Sequence, residues 1–526
     1  MPHAQDSGRL SWGDALFLYL EREGMPLNIA SVSVFEGVIS LEACCQFIES
    51  KLPLIPRYRQ RVVSPPFNLG LPTWEYDPKF GVRNHIREVT LKRGTDSEFK
   101  AAAGKILSTT LDRQRPLWDL ILVRGLTGNR TGLILRVHHC LADGVAGVGL
   151  MNVMMDASPV APAVPAKKLR FRKPPQKDAW TSIVDGWISW YAGMVQRVLM
   201  AQSEILNLAE KFVAGEPWPV GEFARLLPEL ASPTERLFFN VNYRGPQKFA
   251  WAEIPMAEVK AIREACGGTH NDVVLALVTA TIRRYAEHHG DPVRRRLLRI
   301  MVPVNVRGGD RPGDLGNRIS LLPVTIPLDI RNPRKLLAAV RERMDFLKRA
   351  HIAELVGLAG GLVGTTPTLL QAFAGPVASK LPLTPFNLVC TNIPGPQSPL
   401  YLLGHKMLQW YPYVPVGGDM AVNCAILSYN GTSYFGFSGD VHAAPDLNRL
   451  ETFLKLSLEE LRNAARGKAR RKKRPRPKAK AVLAPAPTPA PVITTSASPA
   501  RPSVEPAPAG TPVTVEDRVP MGLAAD

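Results

Sequence analysis

Cysteine is scarce in this chain, with six among 526 residues, and the six stand at positions 44, 45, 140, 266, 390 and 424 without a CxxC pair or a regular framework. That spacing excludes a disulfide scaffold and a thiolate zinc site, and free thiols fit a cytoplasmic protein. Also missing is the run of roughly 20 apolar residues that a spanning helix needs. The nearest stretch, 355–378, is broken by glycine, threonine and proline. The opening MPHAQDSGRL lacks a basic start followed by a hydrophobic run, so no secretion signal is expected. Acidic residues are few beside basic ones, 46 against 65, which leaves a net charge of +19. Roughly half of that excess comes from one block, Arg466, Lys468, Arg470–Arg474, Arg476, Lys478 and Lys480. Such a balance favours anionic surfaces. No zinc finger, helix-turn-helix or aromatic RNA-binding motif accompanies it, so nucleic acid is not the expected partner. With 45% apolar content over 526 residues the chain is long enough for two or three domains with sizeable cores.

What is present is concentrated in residues 131–150, TGLILRVHHCLADGVAGVGL. The pattern reads as a strand delivering two histidines to a turn. On an extended backbone Leu133, Leu135, Val137 and His139 share one face, while His138 points the other way with Ile134 and Arg136. One histidine is therefore expected to face the chemistry and the other to support the scaffold. Asp143 and Gly144 follow at the turn, where a short carboxylate can orient a ring and glycine can take a backbone shape closed to other residues. Imidazole, with an ordinary pKa of about 6.5, suits general base catalysis on a hydroxyl or amine. A hydrogen-bonded core histidine would look the same. A metal between His139 and Asp143, four apart, is the other reading; opposed histidines do not grip one ion, and no metal is expected. Cys140 could be a nucleophile beside His139, but on a continuing strand its side chain points away.

In chain order, residues 11–20 predict a capped helix with Trp12, Leu16, Phe17 and Leu20 on one side, and 29–35 alternate as a strand. Helices follow over 41–52 and 98–111. Residues 117–139 read as strand, turn and strand with Gly128 at the bend, and 144–155 as a helix leaving the site. Composition then shifts to proline, alanine and lysine over 156–177, marking a crossover between two halves. Trp180, Val184, Trp187, Tyr191 and Val195 or Val198 fall at helical spacing behind that basic stretch. A helix lying on a membrane surface shows this stripe, and so does one packed on its own domain. The second half opens near Leu237, with helices over 256–266 and 271–285 separated by Gly267–Gly268. Asn271 and Asp272 stand where a helix starts, a place ordinary capping explains. His288 and His289 end that helix before Gly290, with no matching turn after them. Residues 298–306 and 319–326 are β-rich, 333–347 helical, and 387–392 a short strand ending at Pro394. Thr391 or Asn392 there could donate to a developing oxyanion, or simply form a turn. A hairpin surrounds Asn430–Gly431, and 447–465 is the closing helix. The expected divisions are 1–158, 159–236, 237–466 and a basic, then Ala/Pro-rich disordered tail, 467–526.

HHCLADG, from His138 to Gly144, matches the HHxxxDG signature of the coenzyme A-dependent acyltransferase superfamily, which includes chloramphenicol acetyltransferase and peptide-synthetase condensation domains. Pro116, Leu117 and Trp118, NDVVLA from Asn271, VPVNVR from Val302, Gly316 and Asn317, TNIPGP from Thr391 and SYNG from Ser428 follow in order across most of 11–462. In these segments the chain resembles the bacterial bifunctional wax ester synthase/diacylglycerol acyltransferases. The resemblance implies an α/β fold of two chloramphenicol-acetyltransferase-like domains, each with a mixed sheet and flanking helices, meeting along a tunnel. It implies catalysis by His139 with His138, Asp143 and Gly144. It places Pro116, Leu117 and Trp118 beside the acyl pocket, with Asn271, Asp272, Thr391 and Asn392 near the active site; members more often carry serine than Thr391, and the hydroxyl survives. The implied reaction moves a long-chain acyl group from acyl-CoA to diacylglycerol or a long-chain alcohol, with acyl-CoA as substrate and no cofactor. The implied station is peripheral, on the inner face of the membrane or on lipid droplets; the oligomeric state stays open. A condensation-type enzyme would use the same base with carrier proteins, but no carrier or adenylation region adjoins. A non-catalytic lipid-binding protein is the remaining alternative.

Overall fold

The structure, a computed structural model, describes residues 8–65, 68, 70–160, 191, 229, 232, 234–305, 319–350, 352, 370 and 386–473. Apart from Tyr191, the aromatic stripe expected over Trp180–Val198 lies outside the described residues, as do Arg307, Gly316, Asn317 and the tail beyond 473. In the first half the chain forms α1 (Trp12–Leu20), β1 (Asn28–Glu36), α2 (Leu41–Lys51), β2 (Gln60–Val63), β3 (Thr73–Tyr76), β4 (Ile86–Thr90), α3 (Asp96–Leu107), β5 (Trp118–Leu126), β6 (Arg130–His138) and α4 (Gly144–Met154). The second half gives β7 (Gln247–Pro255), α5 (Met256–Cys266), α6 (His270–His288), β8 (Leu297–Asn305), β9 (Ile319–Pro327) and α7 (Pro333–Arg349). It continues with β10 (Leu388–Pro394), β11 (Tyr401–Leu402), β12 (His405–Tyr413), β13 (Val422–Tyr429), β14 (Thr432–Asp440) and α8 (Arg449–Lys473).

Helices begin where a short polar side chain can accept the unpaired amides of a first turn. Ser11, Ser40, Thr95, Asp143, Thr269 and Asn332 all do so, each such cap contributing about 1 kcal/mol. Hairpins turn where the backbone needs positive φ: Gly128 and Asn129 between β5 and β6, Asn430 and Gly431 between β13 and β14. Most of α6 is buried around its whole circumference, as expected of a helix threaded through a core.

The strands assemble into two mixed six-stranded sheets, in the orders β11-β12-β1-β6-β5-β4 and β7-β14-β13-β10-β8-β9. In the first, β1 runs antiparallel to both β6 and β12, and β4 runs parallel to β5. In the second, β10 runs parallel to both β8 and β13. The fold class is thus α/β, with a sheet-and-helix layer in each half. Residues 401–413, grouped by the sequence with the second half, complete the first sheet: Ala30 pairs with Tyr413 and Val34 with Gln409. The join is tight. Trp251 of β7 stacks on Tyr411 of β12 at 4.8 Å, and a side chain at Gly436 would collide with the Pro412 carbonyl oxygen.

Two further expectations change. Thr391 and Asn392 lie inside β10, paired with Ala425 and Ile426, and not at a turn. Parallel pairing with β13 keeps the strand extended through Pro394, while β8 pairs with it at Leu388 and Val389. The closing helix runs on to Lys473, into the segment assigned to the tail. Alanine, lysine and arginine are good helix formers, and cations at a helix C-terminus oppose its dipole favourably.

Candidate active site

The strand that carries the signature, β6, ends at His138, one residue short of the alternation expected from the sequence. The amide of Leu141 donates to the His138 carbonyl at 2.9 Å, and that turn carries His139 off the ladder. Both rings consequently meet the same face of α1. Phe17 stacks flat on His139 (3.9 Å, 7°), and Glu21, four residues further on, lies 3.4 Å from Nε2 of His138. His139 is pinned through its own backbone, its amide donating to the Leu27 carbonyl at 2.9 Å.

The two imidazoles are in different states of commitment. His138 is fully buried, and its Nδ1 accepts the Cys140 amide at 3.1 Å. His139 is half-buried as a residue, but its Nδ1 is out of reach of solvent. Burial pushes the His139 pKa down to about 4; a contact with the residue's own carbonyl opposes that shift, and His138 adds to it. The Cys140 thiol is buried, and burial, with Asp14 and Glu21 adding, drives its pKa far upward. A nucleophilic thiolate is therefore excluded at neutral pH.

Asp143 is the N-cap of α4, its Oδ1 accepting the Ala146 amide at 2.7 Å. A β-carbon at Gly144 would meet Cδ1 of Ile393 on β10, so a larger residue there would make the end of that side chain shift. That contact brings the second sheet to the end of the signature. On a strand alternate side chains share a face, so Thr391 lies on the side of Ile393 and α4. Asn392, on the opposite side, donates through Nδ2 to Oδ1 of Asn271 at 3.0 Å. Asp272, the partner of Asn271 in the sequence, closes a capping box with Thr269, taking its amide at 2.7 Å and giving its own at 3.2 Å.

Pro116, Leu117 and Trp118 are all buried. The Leu117 carbonyl accepts the His138 amide at 3.0 Å, so this segment fixes the end of β6 through its backbone. The Trp118 side chain is committed to the core: Nε1 donates to the Tyr58 carbonyl at 2.7 Å, and the ring stacks on His85 at 4.6 Å. His288 and His289, at the opposite end of α6, converge on Asp446 at 3.4 and 3.1 Å, where Tyr285 and Arg449 also bind the carboxylate.

Glu21 and Arg113 belong to this constellation and were not singled out from the sequence. Glu21 accepts the Leu27 amide at 3.1 Å and Arg113 through Nη2 at 2.9 Å and Nε at 3.2 Å. Burial alone would raise its carboxyl; His138, the Leu27 amide and Arg113 outweigh that and hold the pKa at about 2. The available signal was its spacing from Phe17, which puts both on one side of α1.

The chain is 27% identical over 447 residues to the probable diacylglycerol O-acyltransferase tgs1 of Mycobacterium tuberculosis, covering 83% of this chain and 92% of that protein. It is 26% identical over 462 residues to tgs2 of the same organism, covering 86% and 98%. Among solved structures, the wax ester synthase/diacylglycerol acyltransferase from Marinobacter aquaeolei VT8 superposes with a TM-score of 0.60 at 23% identity, over 87% of this chain and 99% of that one. The first condensation domain of the CDA synthetase gives 0.57 at 16% identity over 87% and 97%, a likeness of fold alone. The wax ester synthase/diacylglycerol acyltransferase catalytic domain matches residues 10–274 and the WS/DGAT C-terminal domain residues 315–462. With the paired histidines, the capped α4 and both halves accounted for, the chain belongs to the wax ester synthase/diacylglycerol acyltransferase family.

Proposed function

We propose that this acyltransferase moves a long-chain acyl group from acyl-CoA to the free hydroxyl of diacylglycerol, accepts a long-chain alcohol as well, and uses His139 as the base. The observation that carries the reading is the state of that ring: kept neutral by burial, stacked on Phe17, and held at the end of β6 by its amide's hydrogen bond to the Leu27 carbonyl. Nε2 takes the hydroxyl proton as the acceptor oxygen bonds to the thioester carbonyl carbon. The carbonyl electron pair moves onto oxygen, then returns as the carbon–sulfur bond breaks. The departing thiolate collects the proton from Nε2–H and leaves as CoA thiol, regenerating the neutral base. A thiol of pKa about 8.5 is a far better leaving group than an alkoxide, so no acyl-enzyme is required.

Asp143 and Gly144 hold the turn and the approach of β10, and the Thr391 hydroxyl, on the face of β10 that meets α4, is the side-chain donor we assign to the oxyanion. The reaction runs at a lipid surface. The acceptors are water-insoluble, the net charge of +19 favours anionic headgroups, and no helix among the described residues is long and apolar enough to cross a membrane.

Purified protein given labelled palmitoyl-CoA with either a diacylglycerol or hexadecanol should form the corresponding ester. His139→Ala should lower turnover by about a hundred- to ten-thousandfold, the range of general base catalysis. Ester formation at an undiminished rate in that variant would refute the assignment of the base.

A further inference from the structure

The first histidine of the pair does no chemistry in this scheme, yet it is the more heavily anchored. Its Nδ1 accepts the Cys140 amide, so the lone pair lies there and the ring proton on Nε2. Nε2 lies 3.4 Å from Oε1 of Glu21, with both side chains almost free of solvent. The separation is long, a charge–dipole contact and not a well-formed hydrogen bond. The same carboxylate oxygen accepts the Leu27 amide, and the Leu27 carbonyl in turn accepts the amide of His139. Arg113 supplies the countercharge on the other oxygen.

We propose that Glu21 is a positioning residue for the transfer: it sets the tautomer of His138 through Nε2 and the place of His139 through Leu27. The proposal rests on His139 being the base, but its distinctive content lies one residue earlier. With a neutral partner in place of Glu21, His138 is free to exchange tautomers. The Nε2–H tautomer that lets Nδ1 receive the Cys140 amide is then lost, and the turn presenting His139 loosens. Substrate binding elsewhere along the two sheets is left as it was.

The test is a double-mutant cycle in ester synthesis with Glu21→Gln and His138→Asn. Asparagine keeps an acceptor for the Cys140 amide and removes the Nε2 proton. Glu21→Gln should lower kcat on the order of 10- to 100-fold, the range commanded by outer partners of a functional histidine, with KM for acyl-CoA unchanged. In the His138→Asn background the same change should add little. Full additivity, or a Glu21→Gln enzyme with the parental kcat, overturns the proposal. If Glu21→Gln does not fold, Glu21→Asp, which retracts the charge by one methylene, takes its place in the cycle under the same criteria. Independently of turnover, the ring 15N shifts of His138 should report a proton on Nε2 in the parent and a mixture in the Glu21 variant; a proton on Nδ1 in the parent also overturns it. This readout separates failure of the Glu21 assignment from failure of His139 as base, which the His139→Ala assay decides alone.

Discussion

The pH dependence of ester synthesis offers the sharpest check on the site. A histidine at its ordinary pKa would lose its base function just below neutrality, whereas His139 is held at about 4 by burial beneath Phe17 and beside His138. A base of pKa about 4 is about 90% unprotonated at pH 5, but one at about 6.5 would be only about 3% unprotonated there. The assay is kcat/KM for hexadecanol, an acceptor that does not titrate, from pH 4 to 8, with folding followed by near-ultraviolet circular dichroism. The curve should stay flat down to about pH 5 and bend near 4. Phe17→Ala opens the ring to water and should move the bend upward, toward 6.5, costing most of the activity at pH 5 and little at pH 8. The linked effect on stability has the same sign. Between 6.5 and 4 the unfolded chain binds a proton on this residue that the folded chain does not, so stability falls with acidification by up to about 3 kcal/mol. An acid limb at pH 6 or above in the folded parent enzyme would refute the reasoning.

Two further outcomes follow from the neighbours of that ring. Because burial drives the Cys140 thiol far upward, iodoacetamide at pH 7.5 should leave turnover intact and add no mass to the peptide carrying Cys140, and Cys140→Ala should remain active; inactivation by modification at Cys140 would reverse that conclusion. Gly144→Ala should cost about 1–3 kcal/mol in urea unfolding, because its β-carbon meets Ile393. Ile393→Val in the same chain should recover part of that cost, whereas simple addition of the two losses would show that the contact does not set the requirement for glycine.

The parts of this molecule that were legible from the residues are those decided locally. Ser11 announces a helix start because a cap needs only its own first turn, and Asn430–Gly431 announces a hairpin because the turn demands positive φ; the residues place the start of α6 at Asn271 and Asp272, whereas Thr269 caps it. That His138 and His139 would have different surroundings could be anticipated, but their geometry could not: alternation presumes a continuing strand, and β6 stops at His138. Trp118 reads as apolar bulk in either a pocket or a core, and only its partners, the Tyr58 carbonyl and the His85 ring, decide which. Glu21 is a lone carboxylate whose meaning lies in Arg113 and His138, roughly ninety and more than a hundred residues away. The strand over 387–392 was legible, but the choice between strand and turn at Thr391 and Asn392 was not, because asparagine and proline also mark turns; pairing with β13 decides it.

The placement of β12 against β1 bears on how this protein is born. As the polypeptide leaves the ribosome, β1 can find β6 early, but its other edge has no companion until Tyr413 has been translated. At ordinary rates of synthesis that edge stands open on the order of tens of seconds, with a row of amides and carbonyls offered to any passing strand. A nascent chain of this kind calls for a chaperone to shield it, and recombinant yield should respond to slower translation or added holdase more than to changes at the catalytic centre.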